Sequence, residues 1–258
     1  MANVLCLTGG ASLNWIHVIT PIVSQGFRGA SLPTPIGCRV TNAQISLGPA
    51  SIESAVDEVL AAPGVVDAAI RAEAEGVQAV IIDCMLDPGL DAAREAVSIP
   101  VIGCGEAAML QVAGSQFGIV TVLQRQERAF RDLARKYELA NYMTGTTGIG
   151  IPVLALETDR THAIEATIAG SRQAISKGAE VIIFGCTGML GFADEVSAAL
   201  NGVNVIDPLP NAINCASAFI QNGQKTDKSA YPMPETKPVA GFELWCELNA
   251  LMKGSGNG

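Results

Sequence analysis

Gly76-Val-Gln-Ala-Val-Ile-Ile-Asp-Cys84 and Gly178-Ala-Glu-Val-Ile-Ile-Phe-Gly-Cys186 are two copies of one pattern, a glycine followed eight positions later by a cysteine. The β-branched apolar run inside each copy is typical of a buried parallel strand. Each cysteine therefore ends a strand and precedes a helix, which is where open α/β sheets place their ligands. The two cysteines are 102 residues apart, so we predict two similar α/β halves that each present one thiol.

The composition narrows the classes of partner that fit this chain. It has 258 residues, of which 49% are hydrophobic and 16% are charged, and this indicates a compact α/β protein with ample core. The net charge is −9 and the basic residues form no block, so we expect neither nucleic acid nor an anionic membrane surface as a partner. No apolar run reaches the length of a membrane span.

The N-terminal residues and the spacing of the cysteines indicate in which cellular compartment the protein is expected. Met1–Thr8 lacks the basic and long apolar regions of a signal peptide, and we predict it to be a first strand. The seven cysteines are odd in number and widely spaced, which favours a reduced, cytoplasmic protein. No Cys-x-x-Cys pair is present, so we expect no structural zinc site.

Strand and helix patterns alternate along the chain. At the start we predict a strand at 3–8, a tight turn at Gly9-Gly10 and a helix after Ser12. The buried stripe of that helix would be Trp15, Ile16, Val18 and Ile19. Further strands are predicted at 39–46, 76–84, 99–103, 117–123, 151–156, 178–186 and 203–206.

Helices fill the intervals between these strands. Asp87-Pro88 and Asp207-Pro208 are each expected to begin a helix, with the aspartate as N-cap and the proline at the first position. The other helices are predicted at 51–75 with a break or kink at Pro63-Gly64, from 106 onward, and at 126–137, 160–177, 192–200 and 243–252. Strands that alternate with helices predict parallel sheets with helices on both faces.

Cys84 and Cys186 are the candidate catalytic residues. A lone cysteine at a strand end is usually a small buried hydrophobe, but packing alone gives no reason to repeat it at equivalent places of two halves. We expect the helix N-termini that follow to lower the thiol pKa values and to hold anions. The remaining cysteines have no such symmetry and are interpreted as structural; they are Cys6, Cys38, Cys104, Cys215 and Cys246.

Two short motifs suggest other ligands. Residues 103–108, Gly-Cys-Gly-Glu-Ala-Ala, match a loose dinucleotide fingerprint, but Gln124 stands where the ribose-binding acid is expected, so we reject a nicotinamide site. Gly9-Gly10 before a helix could cradle a carboxylate or imide oxygen, or could be an ordinary tight turn.

A cysteine hydrolase is a further alternative. The Gly-x-Cys-x-Gly form of the nucleophile motif would need glycine in place of Phe184, and the family would need a histidine downstream of Cys186. His17 and His162 both lie upstream. A Cys–His dyad between one of these histidines and either thiol stays open.

Longer stretches of the chain resemble a known family. The sequence is similar to the aspartate/glutamate/hydantoin racemase superfamily, and most closely to hydantoin and allantoin racemases. With the proline-containing tail after Lys225 the resemblance covers almost the whole chain, and the two cysteine motifs in tandem are specific. The matching stretches are residues 48–53, 83–95, 100–108, 151–157 and 185–189.

The resemblance implies a racemase that needs no cofactor and no metal and acts on a small molecule, a 5-monosubstituted hydantoin or allantoin. Two thiols would face each other across a cleft between two α/β lobes; one thiolate would remove the proton on the stereocentre and the opposite thiol would return one. The first lobe would take residues 1–103 and 208–258, and the second would take 104–207. A homo-oligomer stays open.

Candidate substrate-binding residues lie near the two thiols and in the first-strand loop. In the family that loop usually reads Asn-Pro-Asn-Thr-Ser, whereas here it is predicted at residues 8–12, Thr-Gly-Gly-Ala-Ser, so the identity of the substrate is the open question. The candidates are Gly9, Gly10, Ser12, Asp83, Thr121, Thr187 and Gly188.

Several related activities stay open beside this one. Asp/Glu-type amino-acid racemases belong to the same superfamily, and its maleate-type cis–trans isomerases share both cysteines. Its decarboxylases lack the first thiol, so the presence of Cys84 disfavours them. A two-lobed binding protein for small molecules would keep the cleft but would have no use for two symmetric thiols.

Overall fold

Two parallel sheets of the same topology form the framework of this computed structural model, which describes residues 13–25 and 31–254. The first sheet has the order β2-β1-β3-β4, and its strands are β1 (Asn14–Thr20), β2 (Cys38–Gln44), β3 (Ala79–Ile82) and β4 (Val101–Gly103). The second has the order β6-β5-β7-β8, with β5 (Phe117–Thr121), β6 (Met143–Gly148), β7 (Val181–Phe184) and β8 (Asn204–Ile206). The predicted α/β fold with two similar parallel sheets is therefore confirmed.

Helices connect the strands and cover the sheets. They are α1 (Ala55–Ala74), α2 (Leu90–Ala96), α3 (Cys104–Gln111), α4 (Glu127–Lys136), α5 (Arg160–Ser176), α6 (Ala193–Ala199), α7 (Pro208–Gln221) and α8 (Cys246–Lys253). Short 3-10 turns lie at Gln124–Gln126, Val153–Ala155 and Thr187–Met189. Among the residues described, no helix combines the length and the hydropathy of a membrane span.

Both faces of the first sheet are buried. Ile16 and Ile81 pack with α7 on one face, whereas Ile19 and Ile82 join the cluster of α1 and α2 on the other. Successive strand residues point to opposite faces, so a sheet covered on both faces needs apolar residues at nearly every position. This is why the interior strand β3 appears in the sequence as a continuous apolar run.

One apolar cluster joins the two halves. It contains Ile82 of β3, Ile183 of β7 and the fully buried Phe130 of α4. The opposite face of the second sheet, with Ile182 and Phe184, packs in a separate cluster. The shared cluster holds the two sheets side by side, so that the loops after β3 and β7 can meet.

The C-terminal helices return to the first sheet. α7 contacts β1, β3 and β4. The carboxylate of Asp67 in α1 accepts the N–H groups of Glu247 and Leu248 at the start of α8, at 2.7 and 3.1 Å. These contacts place residues 208–253 beside the first sheet, while the lobe boundaries after residues 103 and 207 stay a prediction.

The helix predicted after Ser12 is wrong, because Asn14–Thr20 is the central strand β1. Apolar residues at 15, 16, 18 and 19 fit one face of a helix, but they fit a strand buried on both faces equally well. The segment forms a strand because it pairs with β2 on one side and β3 on the other. Three consecutive β-branched residues, Val18, Ile19 and Thr20, also favour a strand. The strand predicted at 3–8 lies outside the described residues.

Three other predictions differ from the structure. Residues 151–156 form no strand but contain a 3-10 turn, and the second sheet instead uses β6, whose threonines and glycines gave no apolar signal. Pro63 lies inside α1, which continues to Ala74 without a break. Asp87 is not the N-cap of α2, which begins at Leu90, whereas Asp207 is the N-cap of α7 as predicted.

Candidate active site

Cys84 and Cys186 line one cavity at the carboxyl ends of β3 and β7. The carboxyl end of β1 contributes Thr20 to the wall, and the 3-10 turn after β5 contributes Gln126. The structure therefore brings the two predicted thiols to the same space, one from each sheet.

The Cys84 thiol lies in an environment that disfavours its thiolate. Burial raises the pKa of Cys84 well above its ordinary value, the Leu86 N–H bonded to the sulfur lowers it, and the neighbouring Cys186 raises it. The lowering expected from a helix N-terminus is wrong for this thiol, because α2 begins six residues further on, at Leu90. At neutral pH Cys84 is a protonated thiol that can donate a proton.

The Cys186 sulfur accepts a hydrogen bond from the backbone. It precedes the 3-10 turn Thr187–Met189, and the N–H of Gly188 donates to its Sγ at 3.3 Å. A hydrogen bond to sulfur favours the thiolate. Gly188, one of the predicted binding residues, thus lies against the thiol itself.

Asp83 connects three loops around the cavity. The Thr20 hydroxyl donates to its carboxylate at 3.1 Å, and the Thr187 hydroxyl donates to its carbonyl oxygen at 3.1 Å. Thr187 belongs to the loop of the second sheet, so this bond ties the Cys186 loop to the residue before Cys84. Asp83 and Thr187 both line the cavity, and their binding of substrate stays a prediction.

Thr121 lies behind the cavity rather than in its wall. Its hydroxyl is within hydrogen-bond distance of the Gln126 side-chain oxygen at 2.8 Å and of the Gly185 carbonyl at 3.1 Å. A Cβ on Gly185 would lie 2.5 Å from the Cβ of Thr121, so glycine is required before Cys186. Through these contacts Thr121 supports both Gly185 and Gln126.

Gln126 and Thr20 are cavity residues that the sequence interpretation missed. Gln126 is 6% exposed and lies in the 3-10 turn before α4, although the helix was predicted to start at residue 126. Its side-chain nitrogen lies 3.4 Å from the carbonyl of Ile52 in the first half. Its place just after the end of β5, next to the other strand ends, is the signal that could have found it.

The first-strand loop that reaches the cavity is Thr20-Pro-Ile-Val-Ser24, because β1 ends at Thr20. Compared with the family pattern Asn-Pro-Asn-Thr-Ser, this loop keeps Pro21 and Ser24, whereas the loop predicted at 8–12 kept only its serine. The assignment of the first-strand loop is corrected accordingly. Gly9, Gly10 and Ser12 lie outside the described residues.

The two histidines do not line the cavity. His17 lies in β1, where its Nδ1 is 2.8 Å from the Thr41 hydroxyl and burial lowers its pKa. His162 is exposed in the first turn of α5. The geometry gives no support to a Cys–His dyad.

The backbone N–H groups at the end of the 103–106 segment bind a carboxyl group of the protein itself. The N–H groups of Gly105 and Glu106 donate to the Asp87 carboxylate at 2.9 and 2.7 Å. A phosphate could not take the same place without displacing that carboxylate, which supports the rejection of a nicotinamide site. In the part of the chain that the structure describes, no group of three or more His, Cys, Asp and Glu side chains is arranged to hold a metal ion.

The cavity between the thiols is small, about 40 Å³. This is room for a few water molecules, whereas pockets for organic ligands hold roughly 300–1,000 Å³. The described cavity is therefore smaller than the volume that an organic ligand usually occupies.

Comparison with known proteins agrees with this geometry. The sequence model of the family described as Asp/Glu/Hydantoin racemase matches residues 20–216. The chain is 34% identical to a hydantoin racemase of Rhizobium meliloti over 89% of this chain and 98% of that one, and 37% identical to a hydantoin racemase of Pseudomonas sp. (strain NS671) over 76% and 80%. It is also similar to the solved allantoin racemase from Klebsiella pneumoniae, with a TM-score of 0.82 and 32% identity over 90% of this chain and 98% of that one.

Proposed function

The chain belongs to the Asp/Glu/hydantoin racemase family, and on that basis we propose that it is a cofactor-independent racemase that inverts the stereocentre of 5-monosubstituted hydantoins or of allantoin. The relatives named as hydantoin and allantoin racemases support this substrate class. The observation that carries the proposal is the approach of two thiols, Cys84 and Cys186, to one cavity from equivalent strands of two sheets.

Inversion of a carbon needs a base on one face and an acid on the other, and the two must be able to exchange roles. One thiolate takes the proton, so that the C–H bond breaks and an S–H bond forms. The carbanion then takes a proton from the opposite thiol, which becomes the thiolate. Atoms and charge balance with no oxidant, reductant or further reactant, and the enzyme is ready for the opposite enantiomer.

The surroundings of the thiols support one resting state. Each sulfur accepts one backbone N–H, from Leu86 at Cys84 and from Gly188 at Cys186, but burial and the neighbouring Cys186 raise the pKa of Cys84 well above its ordinary value, which favours the protonated thiol there. We infer that Cys186 is the base and Cys84 the acid when the cycle starts from this state. A hydantoin suits such a site because its ring carbonyls spread the carbanion charge, which N–H donors can then stabilise.

The proposal is tested by optical rotation measured on both enantiomers of several 5-monosubstituted hydantoins, allantoin, aspartate and glutamate. Protein dialysed against a chelator, with no cofactor added, should bring a hydantoin or allantoin to the racemic mixture faster than a protein-free control. A binding protein would bind without changing the rotation. Loss of activity on chelation, with recovery on addition of a divalent ion, would contradict the thiol chemistry.

Assembly and compartment are secondary parts of the proposal. We expect a cytoplasmic protein, since the acidic chain carries free cysteines at six described positions, which suits a reducing compartment. A homo-oligomer is also consistent with the family, and light scattering of the purified protein measures its mass directly.

A further inference from the structure

Asp87, three residues after Cys84, is held in an unusual place. Its φ angle is 49°, in the left-handed region that non-glycine residues seldom adopt, although aspartate tolerates it better than most. Its side chain is buried, with the residue 6% exposed. Neither the proposed proton transfer nor the predicted substrate contacts use Asp87, so its strained backbone conformation needs a separate reason.

The Asp87 carboxylate caps a helix other than the one that follows it. Oδ1 accepts the Gly105 N–H at 2.9 Å, and Oδ2 accepts the Glu106 N–H at 2.7 Å. Both donors belong to the first turn of α3, whose free N–H groups need acceptors; burial raises the pKa of Asp87 to about 7, and these two N–H bonds counteract that rise. The carboxylate therefore links the Cys84 loop to the start of α3.

Two glycines make this contact possible. A Cβ on Gly103 would lie 2.4 Å from the carboxyl carbon of Asp87, and one on Gly105 would lie 2.2 Å from the carbonyl oxygen of Met85. Any side chain at either position would push the Cys84 loop away from α3. The glycine pattern that resembled a nucleotide fingerprint is thus explained by the approach of this loop.

A third bond reaches Asp87 from the other half of the molecule. The hydroxyl of Tyr137, the C-cap of α4, donates to Oδ2 at 2.9 Å. Asp87 is linked back to the thiol through its own backbone, since its N–H donates to the Cys84 carbonyl at 3.2 Å. Between them, the Leu86 N–H bonds to the Cys84 sulfur. The orientation of the Cys84 thiol is therefore coupled to the position of the Asp87 carboxylate.

We propose that Asp87 is a positioning residue of the racemase: clamped by the N-terminus of α3 and by Tyr137, it fixes the Cys84 loop so that the thiol faces Cys186. This inference rests on the function proposed above. Asp87 acts through Cys84 and touches no substrate, so its loss should affect one of the two thiols and spare the other.

Asp87→Asn is the first test. The amide keeps the size of the side chain but replaces one acceptor oxygen with an NH2 group, which only donates. In either orientation of the amide, at least one of the three donors Gly105, Glu106 and Tyr137 therefore loses its acceptor. We expect kcat for racemisation to fall by about 10- to 100-fold in both directions, as for a catalytic group displaced by about 1 Å, with KM changed far less. A melting curve followed by circular dichroism checks that the variant is folded.

Proton exchange separates positioning from a general loss of structure. In deuterated water Asp87→Asn should keep exchange, with retention, of the same enantiomer that Cys84→Ser keeps, because both variants leave Cys186 intact. Equal loss of exchange for the two enantiomers, or kinetics like those of the wild type, would overturn the inference.

Tyr137→Phe provides a milder variant with a matched control. It removes one of the three donors to Asp87, so we expect a smaller fall in kcat with the same preference between enantiomers. Tyr142→Phe removes a hydroxyl outside this network and should behave like the wild type. Equal kinetics of the two phenylalanine variants would show that the bond across the halves does not contribute.

Thiol labelling tests the inference independently of the activity. Iodoacetamide labelling of each cysteine, read from peptide masses, should be faster at Cys84 in Asp87→Asn than in the wild type and unchanged at Cys186. If the wild type racemises nothing, the proposed function fails while this experiment still decides whether Asp87 holds the Cys84 loop. Unchanged labelling at Cys84 would exclude the positioning role.

Discussion

The Cys84 and Cys186 loops bind backbone N–H groups at their sulfurs in the same way, but they differ in the hydrogen bonds that attach them to the following helices. In each, the sulfur accepts the N–H of the residue two positions further on, Leu86 or Gly188. In the first loop Asp87 then supplies a carboxylate to the N–H groups of α3, the helix after β4. In the second loop the donor and acceptor are exchanged, because the N–H of Gly191 donates to the carboxylate of Asp207, the N-cap of the helix after β8, at 2.9 Å.

The difference between the two anchors is one of burial. Asp87 accepts three hydrogen bonds in the interior, whereas the bond between Gly191 and Asp207 is exposed to solvent. A buried hydrogen bond that loses its partner costs more free energy than a solvated one, since water cannot replace the partner. The repeated fold thus holds the first thiol by a rigid interior clamp and the second by a surface bond and by the bond from Thr187 to Asp83.

The largest expected effect comes from removing either thiol. Cys84→Ser and Cys186→Ser should each lose racemisation in both directions by several orders of magnitude, since a general acid or base alone contributes about 100- to 10,000-fold. Each variant should still exchange the α-proton of one enantiomer with deuterated water, with retention, and the two variants should choose opposite enantiomers.

A third cysteine serves as the control for this experiment. Cys215→Ser changes a partly buried thiol in α7, away from the cavity, and should racemise like the wild type. If both cysteine variants of the cavity exchange the same enantiomer, or either racemises at a rate near wild type, the symmetric use of the two loops is refuted.

The second prediction concerns the reactivity of the two thiols towards iodoacetamide. Only the thiolate reacts, and the raised pKa of Cys84 lowers its thiolate fraction at any given pH. At neutral pH Cys84 should react at least about tenfold more slowly than the exposed Cys246, a factor that corresponds to one pKa unit. The rate at Cys84 should keep rising as the pH is raised above 9.

Peptide masses measured over time at several pH values give both rates in one sample. The exposed Cys246 provides an internal reference for the reagent. A Cys84 that reacts as fast as Cys246 at pH 7 would contradict the raised pKa of Cys84, and the rate at Cys186 measured in the same sample compares the two loops directly.

The third prediction tests the bond that joins the loops. Thr187→Val keeps the shape of the side chain but removes the hydroxyl that donates to the Asp83 carbonyl. We expect kcat/KM to fall by about tenfold, with binding and turnover both impaired, because a neutral hydrogen bond contributes about 1 kcal/mol and the loops also lose their register. Thr144→Val, which removes a similar bond to the Phe117 carbonyl far from the cavity, is the control. If Thr187→Val and the control have equal kinetics, the Thr187 hydroxyl neither supports the site through Asp83 nor binds the polar groups of the substrate.

The smallest effect is expected at the surface anchor. Asp207→Asn should lower kcat less than about threefold, because the amide oxygen can still accept from Gly191 and solvent reaches this bond. The same steady-state assay, run beside Asp87→Asn, compares the two anchors directly. A fall at Asp207 as large as that at Asp87 would mean that burial does not distinguish them.

Local patterns were sufficient for the features that depend on a few neighbouring residues. The apolar runs before Cys84 and Cys186 predicted two buried parallel strands, and Asp207-Pro208 predicted the start of α7. Strand period, apolar length and cap chemistry are properties of a short segment, so they can be read before the chain folds. The same sequence-level argument located both thiols at strand ends.

The features that were missed depend on partners distant in the chain. At residues 14–20 the same apolar spacing fits a helix or a strand, and only the pairing with β2 and β3 decides. Asp87 looked like the N-cap of the next helix, but it caps α3 because the loop after β3 and the start of α3 are brought together by the sheet. The sequence alone therefore determined the two strands and their cysteines, whereas the meeting of the thiols, the wall at Thr20 and Gln126 and the clamp on Asp87 were decided by tertiary packing, since each needs groups that only the folded chain places side by side.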